Sequence, residues 1–211
     1  MVNNFQISLG DAALINFYLV PLVCEAAPQI GCGCRTKPVL QALEANPEIK
    51  HAWLNKAGTT IAIQWRREIS EDEKLSVFSG VIDDGHHVPV IQASEAAALF
   101  ADLRSGEHWY NAETVDDLSR SEADIIGLRM ADRITSSVAL THSQTTGLQC
   151  AIACAAYEIL IDPRAASHEW RQPALNSAVV SAASPYLNVG EVESLIHALR
   201  VADYRPLPGE A

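Results

Sequence analysis

Residues 48–63, EIKHAWLNKAGTTIAI, decide the fold that we predict for the first half of the chain. Two runs rich in β-branched and aromatic residues, 49–55 and 59–66, flank the short turn Lys56-Ala57-Gly58, a pattern typical of a β-hairpin. In the second run, alternate residues (Ile61, Ile63 and Trp65) share one face of the strand. This segment therefore predicts two antiparallel strands.

A strand, a loop and a helix precede this hairpin. Residues 15–24 are rich in aromatic and aliphatic side chains and are typical of a buried strand. Residues 25–34 form a loop that contains one proline and two glycines. A helix with one apolar face follows, and Pro38 suits its first turn.

A second helix and a last strand follow the hairpin. Ser70 and Glu73 form a capping box, which marks the beginning of a helix, and residues 88–91 form a short strand. The element order is therefore βαββαβ, which is the ferredoxin-like arrangement. We predict a protein of the α+β class whose residues 1–93 form a ferredoxin-like domain.

The rest of the chain, residues 94–211, predicts an α-helical domain. Ile126, Met130 and Ile134 repeat at helical spacing, and residues 148–161 are apolar almost all round, which predicts a central buried helix. The first domain carries 7 basic and 10 acidic residues and the second carries 8 and 16, which supports the boundary. The alanine-rich helices suit a tight helix–helix interface, so we expect this domain to bind a protein partner or to form a homodimer.

Charge and hydropathy limit the classes of partner. The 211 residues carry a formal net charge of −11, which argues against nucleic acid because phosphate binding needs a basic surface. The apolar residues 14–23 are too few to span a bilayer, and no basic residue precedes Arg35 to begin a secretory signal. We therefore expect a cytoplasmic protein without a membrane segment.

The cysteines carry the strongest functional signal. An odd number of cysteines without a secretory signal argues against a disulfide framework, and clustered thiols suggest metal or redox use. The five are Cys24, Cys32, Cys34, Cys150 and Cys154.

The Cys32-Gly33-Cys34 loop lies where the first strand turns into the first helix. A helix N-terminus stabilises a thiolate, and the nearby cations of Arg35 and Lys37 would do the same. A thiolate is both a nucleophile and a ligand for soft metal ions. Cys24 ends the first strand and is a candidate third ligand. The alternative is a flexible glycine loop with incidental thiols.

Residues 15–92 resemble a heavy-metal-associated domain, the fold of copper chaperones and of the amino-terminal modules of metal-transporting ATPases. The matching features are Cys34 just before a helix, Val39 and Leu43 within it, and the segment EIKHAWLNKAGTTIAI. The resemblance implies that Cu(I) or a similar soft ion is held by two thiols, which here are Cys32 and Cys34. The family has two residues between these cysteines, whereas this chain has one.

Cys150 and Cys154 are spaced i and i+4 on the apolar helix and can face one side of it. Together with Cys32 and Cys34 they would make a four-thiolate set suited to zinc or an iron–sulfur cluster. The simpler interpretation is packing in the core, because cysteine behaves as a small hydrophobic residue.

These patterns leave three functional hypotheses. The first is a soft-metal-binding or metallochaperone-like protein that holds Cu(I) or Zn(II). The second is a thiol redox or sulfur-transfer protein in which Cys34 attacks and Cys32 resolves. The third is a non-catalytic interaction module. The chain has no phosphate-binding glycine loop, dinucleotide fingerprint or nucleophile elbow, which argues against an ordinary metabolic enzyme.

Overall fold

The computed structural model describes residues 7, 9–82, 93–201 and 204–207, which form a mixed α/β fold. The strands are β1 (Ile15–Leu19), β2 (Ile49–Asn55), β3 (Thr60–Trp65) and β4 (Trp109–Tyr110). The helices are α1 (Gly33–Glu44), α2 (Glu71–Ser79), α3 (Ala93–Ser105), α4 (Asp116–Thr135), α5 (His142–Leu160), α6 (His168–Ala183) and α7 (Val189–Val201). Among the described residues, no helix is both long and apolar enough to cross a bilayer.

The sheet within the described residues has four antiparallel strands in the order β1-β3-β2-β4. The predicted hairpin of β2 and β3 is confirmed, with Ala52 opposite Ile63 and Leu54 opposite Ile61. On its other side β3 pairs with β1, where Tyr18 lies opposite Ile61. Residues directly opposite each other in an antiparallel pair share a face. Ile61 and Ile63 are two residues apart in β3, so they also lie on one face, as their alternation predicts.

The ferredoxin-like arrangement stays a prediction. The order β1, α1, β2, β3, α2 agrees with its first five elements. The sixth, the strand predicted over residues 88–91, lies outside the described residues. The additional strand β4 pairs with β2, with Trp109 opposite Asn55.

The chain divides into two compact units. The first comprises Met1–Val23 and Thr36–Val115, and the second comprises Cys24–Arg35 and Asp116–Ala211. The cysteine loop therefore belongs to the mainly helical second unit, whereas α3 and β4 belong to the first. This division differs from a single boundary near Ala93, because contacts distant in sequence decide which unit a segment joins.

The first unit has a core of aromatic and aliphatic side chains on one face of its sheet. Phe17 and Trp109 lie with their ring centroids 6.0 Å apart. Leu99 and Phe100 of α3 pack against this cluster. The indole N–H of Trp109 donates to Asp102 Oδ2 at 2.8 Å, which satisfies the buried polar atom of that ring.

Helices α4 and α5 pack very closely in the second unit. A Cβ atom added to Gly127 of α4 would lie 2.7 Å from the carbonyl oxygen of Gln149 and 2.8 Å from Cβ of Ala153, both on α5. These distances are shorter than van der Waals contact, so the absence of a side chain at Gly127 sets the approach of the two helices.

The prediction that residues 148–161 form a helix buried on all sides is wrong. Helix α5 begins earlier, with Thr141 as N-cap and Gln144 completing a capping box. Its buried face includes Leu148 and Ile152, but the opposite face is exposed and carries Cys150 and Cys154. Alanine and cysteine count as apolar in a sequence pattern, yet they are small enough to tolerate contact with water.

Candidate metal centre

The loop that precedes α1 folds back on itself and brings Cys24 towards Cys32. The backbone N–H of Cys24 donates to the carbonyl of Ile30 at 2.9 Å, and Ile30 N–H donates to the carbonyl of Ala27 at 3.0 Å. Ala27 N–H donates to Cys24 Sγ at 3.3 Å. These bonds fix the backbone of the loop between Cys24 and Ile30.

Helix α1 begins at Gly33, so Cys34 lies in its first turn and Pro38 lies one turn later than expected. Because Pro38 has no backbone N–H, it cannot donate to the carbonyl of Cys34. Because α1 begins between Cys32 and Cys34, the helix N-terminus lies at these thiols, where its free N–H groups are available to sulfur.

The three cysteines of this loop lie together. Cys32 Sγ is 3.4 Å from Cys34 Sγ. Cys24 Sγ, Cys32 Sγ and one carboxylate oxygen of Glu122 all lie within 4.8 Å of one another. Cys32 is the central residue, because it is close to Cys24 and Glu122 on one side and to Cys34 on the other.

This cluster is closed to solvent. The exposed fraction is 1% for Cys24, 4% for Cys32, 6% for Cys34 and 4% for Glu122. These thiols lie near each other and next to groups that stabilise negative charge, as the sequence predicts. Because they are buried, a reagent must displace protein to reach the sulfur atoms.

Cys32 is the cysteine of the group whose thiolate form the surroundings favour. Hydrogen bonds from the Cys24 and Cys34 thiols lower the pKa of Cys32 well below its ordinary value, and the backbone N–H of Arg35 and the charge of Arg171 act in the same direction. The hydrogen bond to Cys32 and burial raise the pKa values of Cys24 and Cys34. The surroundings therefore favour negative charge at Cys32 over the other two cysteines.

Arg171 of α6 is a cation that contacts the sulfur atom of Cys34. Its Nη1 donates to Cys34 Sγ at 3.4 Å and to the carbonyl of Ala165 at 2.6 Å. Arg35, which the sequence analysis proposed as a supporting cation, contributes its backbone N–H to Cys32. Lys37, the other proposed cation, lies further along α1 in the first unit.

Glu122 of α4 is the acidic member of the cluster. Burial, together with the charge on Cys32, raises the pKa of its carboxyl to about 8, although a hydrogen bond with Cys24 and the charge of Arg171 act in the opposite direction. Its Oε2 atom is buried and has no hydrogen-bond partner. An unpartnered buried carboxylate oxygen is costly, so this atom is a ready ligand for an ion.

Cys150 and Cys154 do not belong to this cluster. Both are exposed on α5, whereas the loop cysteines are buried. Among the described residues, the cysteine, histidine and acidic side chains close enough to share an ion are Cys24, Cys32 and Glu122. The four-thiolate set that would combine Cys150 and Cys154 with Cys32 and Cys34 is therefore not formed.

A buried arginine ties the cysteine loop to the C-terminal segment 204–207. Arg129 of α4, which is 5% exposed, donates from Nη1 to the carbonyl of Ala26 at 2.6 Å and to that of Tyr204 at 2.7 Å. An ion pair between Arg205 and Glu25 joins the same two segments. We call residues 204–207 the strap. The strap and the loop are thus held by a common side chain.

Replacing Arg129 by methionine is expected to lower the free energy of unfolding by about 2–4 kcal/mol, because one buried and one partly buried carbonyl group lose a charged donor. The change should also speed the reaction of the three buried thiols with a chromogenic disulfide reagent. Urea unfolding followed by circular dichroism and a stopped-flow thiol assay measure the two effects.

Arg133→Met is the matched control, because Arg133 lies on the same helix and donates to the strap at the exposed carbonyl of Arg205. We expect less than about 1 kcal/mol for this control. If both variants keep the stability and thiol reactivity of the unaltered protein, Arg129 does not hold the loop.

Comparison with protein-family models, with curated proteins and with solved structures finds no match for this chain. The arrangement itself is therefore the basis for assigning chemistry. A central cysteine with a lowered pKa, two neighbouring cysteines, a buried carboxyl with an unpartnered oxygen and one guanidinium make a site that can hold a metal cation.

Proposed function

We propose that this protein binds a thiophilic metal ion, Cu(I) or Zn(II), at Cys24, Cys32 and Cys34. The observation that supports it best is the close cluster of Cys24, Cys32 and Glu122, with Cys34 Sγ at 3.4 Å from Cys32 Sγ. Soft and borderline ions prefer thiolate ligands, and the lowered pKa of Cys32 favours its thiolate form.

The burial of the site favours retention of the ion over rapid transfer. Metal sites that hold an ion for stability are closed by protein ligands, whereas exchange needs an open path. With all three thiols at most 6% exposed, transfer to a partner protein would require the loop to open. A metallochaperone role therefore needs a conformational change, whereas a storage or structural role does not.

The resemblance to heavy-metal-associated domains is kept as part of this proposal. The antiparallel sheet and the order β1, α1, β2, β3, α2 support it. The site departs from the two-thiol arrangement, because Glu122 and Arg171 come from helices beyond residues 15–92. A cytoplasmic location and a homodimer through the helical part are further predictions from the sequence.

The thiol redox hypothesis uses the same sulfur atoms with exchanged roles. The pKa of Cys32 is lowered and that of Cys34 is raised, so Cys32 would be the attacking thiolate. The contact between Cys32 and Cys34 favours this chemistry, but their burial opposes access of a substrate disulfide. We therefore rank metal binding above it.

The test is metal analysis of the protein purified anaerobically under reducing conditions. We expect about one Zn or Cu ion for each chain, because the cluster offers one set of converging ligands. The double variant Cys150→Ser, Cys154→Ser is the control and should hold the same amount. If metal-free protein takes up neither Zn(II) nor Cu(I) in a titration with a chromophoric indicator, the proposal fails. A mixed disulfide at Cys32 in that metal-free protein would support the redox hypothesis.

A further inference from the structure

We infer that Glu122 is a metal ligand and that the site therefore selects a divalent ion such as Zn(II) over monovalent Cu(I). This inference rests on the proposed metal-binding function and deepens it. It names the oxygen donor of the site and the class of ion that such a donor admits.

Geometry places Glu122 among the ligands. A carboxylate oxygen lies within 4.8 Å of both Cys24 Sγ and Cys32 Sγ. Atoms that share a tetrahedral zinc ion at about 2.0–2.3 Å are themselves separated by roughly 3–4 Å, so a small movement completes the set. Cys34 Sγ lies near Cys32 but outside this mutually close group, so Glu122 is better placed than Cys34 to act together with Cys24.

The environment of Glu122 also favours a role as a metal ligand. The side chain is 4% exposed and its Oε2 atom has no hydrogen-bond partner. Buried polar atoms almost always have partners, because an unsatisfied atom loses its hydration without compensation. A metal ion bound by this oxygen would remove the deficit.

Charge balance distinguishes the two classes of ion. When Cys24, Cys32 and Glu122 are all deprotonated they carry three negative charges, and Arg171 beside Cys34 supplies one positive charge. A divalent ion neutralises the remaining two charges, whereas a monovalent ion leaves one negative charge buried. An uncompensated buried charge is strongly unfavourable.

Ligand chemistry leads to the same choice. Cu(I) is soft and is selected by thiolate and thioether ligands, so a carboxylate adds little to its binding. Zn(II) is borderline and accepts thiolate sulfur together with carboxylate oxygen. A mixed sulfur and oxygen set is therefore better suited to Zn(II).

The test compares Glu122→Gln with the unaltered protein in competition titrations with chromophoric chelators for Zn(II) and for Cu(I). Glutamine keeps the size of the side chain but removes its charge. We expect the Zn(II) affinity to fall by about 10–100-fold or more, and the Cu(I) affinity to change by less than about threefold. Glu158→Gln, at an exposed position on α5, is the matched control and should change neither affinity.

X-ray absorption spectroscopy of the zinc-loaded, unaltered protein gives an answer that does not depend on folding of the variant. We expect zinc–sulfur distances of about 2.3 Å together with a zinc–oxygen distance of about 2.0 Å. Zinc bound by sulfur alone, or equal Zn(II) affinities in the two proteins, would overturn the inference and leave metal binding intact. Failure of both ions to bind would instead overturn the proposed function.

Discussion

Replacing Cys32 by serine is expected to weaken metal binding by roughly 100–1,000-fold. Structural zinc sites with four ligands contribute about 10–16 kcal/mol in total, so one lost thiolate costs about 3–4 kcal/mol. Cys32 should show the full effect, because its pKa is lowered and it lies next to Cys24, Cys34 and Glu122. Competition titration with a chelator of known affinity measures the change.

Cys154→Ser is the matched control for this substitution. Cys154 is also a cysteine, but it is exposed on α5 and lies outside the cluster, so its loss should leave the affinity unchanged. Equal affinities for Cys32→Ser and the unaltered protein would place the metal elsewhere in the chain.

Gly127→Ala is expected to lower the free energy of unfolding by about 2–3 kcal/mol. In an unobstructed helix the same change stabilises by about 1 kcal/mol, because alanine restricts the unfolded chain more than glycine does. Here the new methyl group would meet the Gln149 carbonyl oxygen at 2.7 Å, and this obstacle is backbone of α5. The two helices must separate, and chemical denaturation monitored by circular dichroism measures the cost.

Gly190→Ala on α7 controls for helix propensity. The nearest atom to a Cβ at this position is Asn188 Oδ1 at 3.6 Å, which is ordinary van der Waals contact. We expect a neutral or slightly stabilising effect, within about 1 kcal/mol. If Gly127→Ala matched this control, the close approach of α4 and α5 would not depend on the missing side chain.

Features that depend on neighbouring residues were predictable from the sequence. The β2–β3 hairpin follows from a turn between two alternating segments. The capping box of Ser70 and Glu73 involves residues within one helical turn, so its pattern carries its geometry. The pairing of β4 with β2 and the division into two units depend on segments far apart in the chain, which periodicity does not report.

The same distinction applies to the candidate site. Cys24, Cys32 and Cys34 lie within one short loop, so their proximity could be predicted. Arg171 lies 137 residues after Cys34, and no local pattern connects the two.

The sequence pattern around Glu122 indicates that this residue is buried. It lies four residues before Ile126, at the start of the apolar stripe of Ile126, Met130 and Ile134. An acidic residue in such a stripe is directed towards the interior, and a buried carboxyl group requires a partner. Extending the stripe by one turn would have identified this residue.

The link between the cysteine loop and the strap has a consequence for synthesis. Glu25 and Arg205 are 180 residues apart, so at ordinary translation rates the loop leaves the ribosome about 10–35 s before its partner is made. Glu122 and Arg171 follow Cys34 by 88 and 137 residues, so the thiols lack each of them for part of this interval, and they lack the bond from Arg129 to Tyr204 for all of it. The nascent chain therefore offers an ion, or an oxidant, direct access to sulfur atoms that the finished protein encloses.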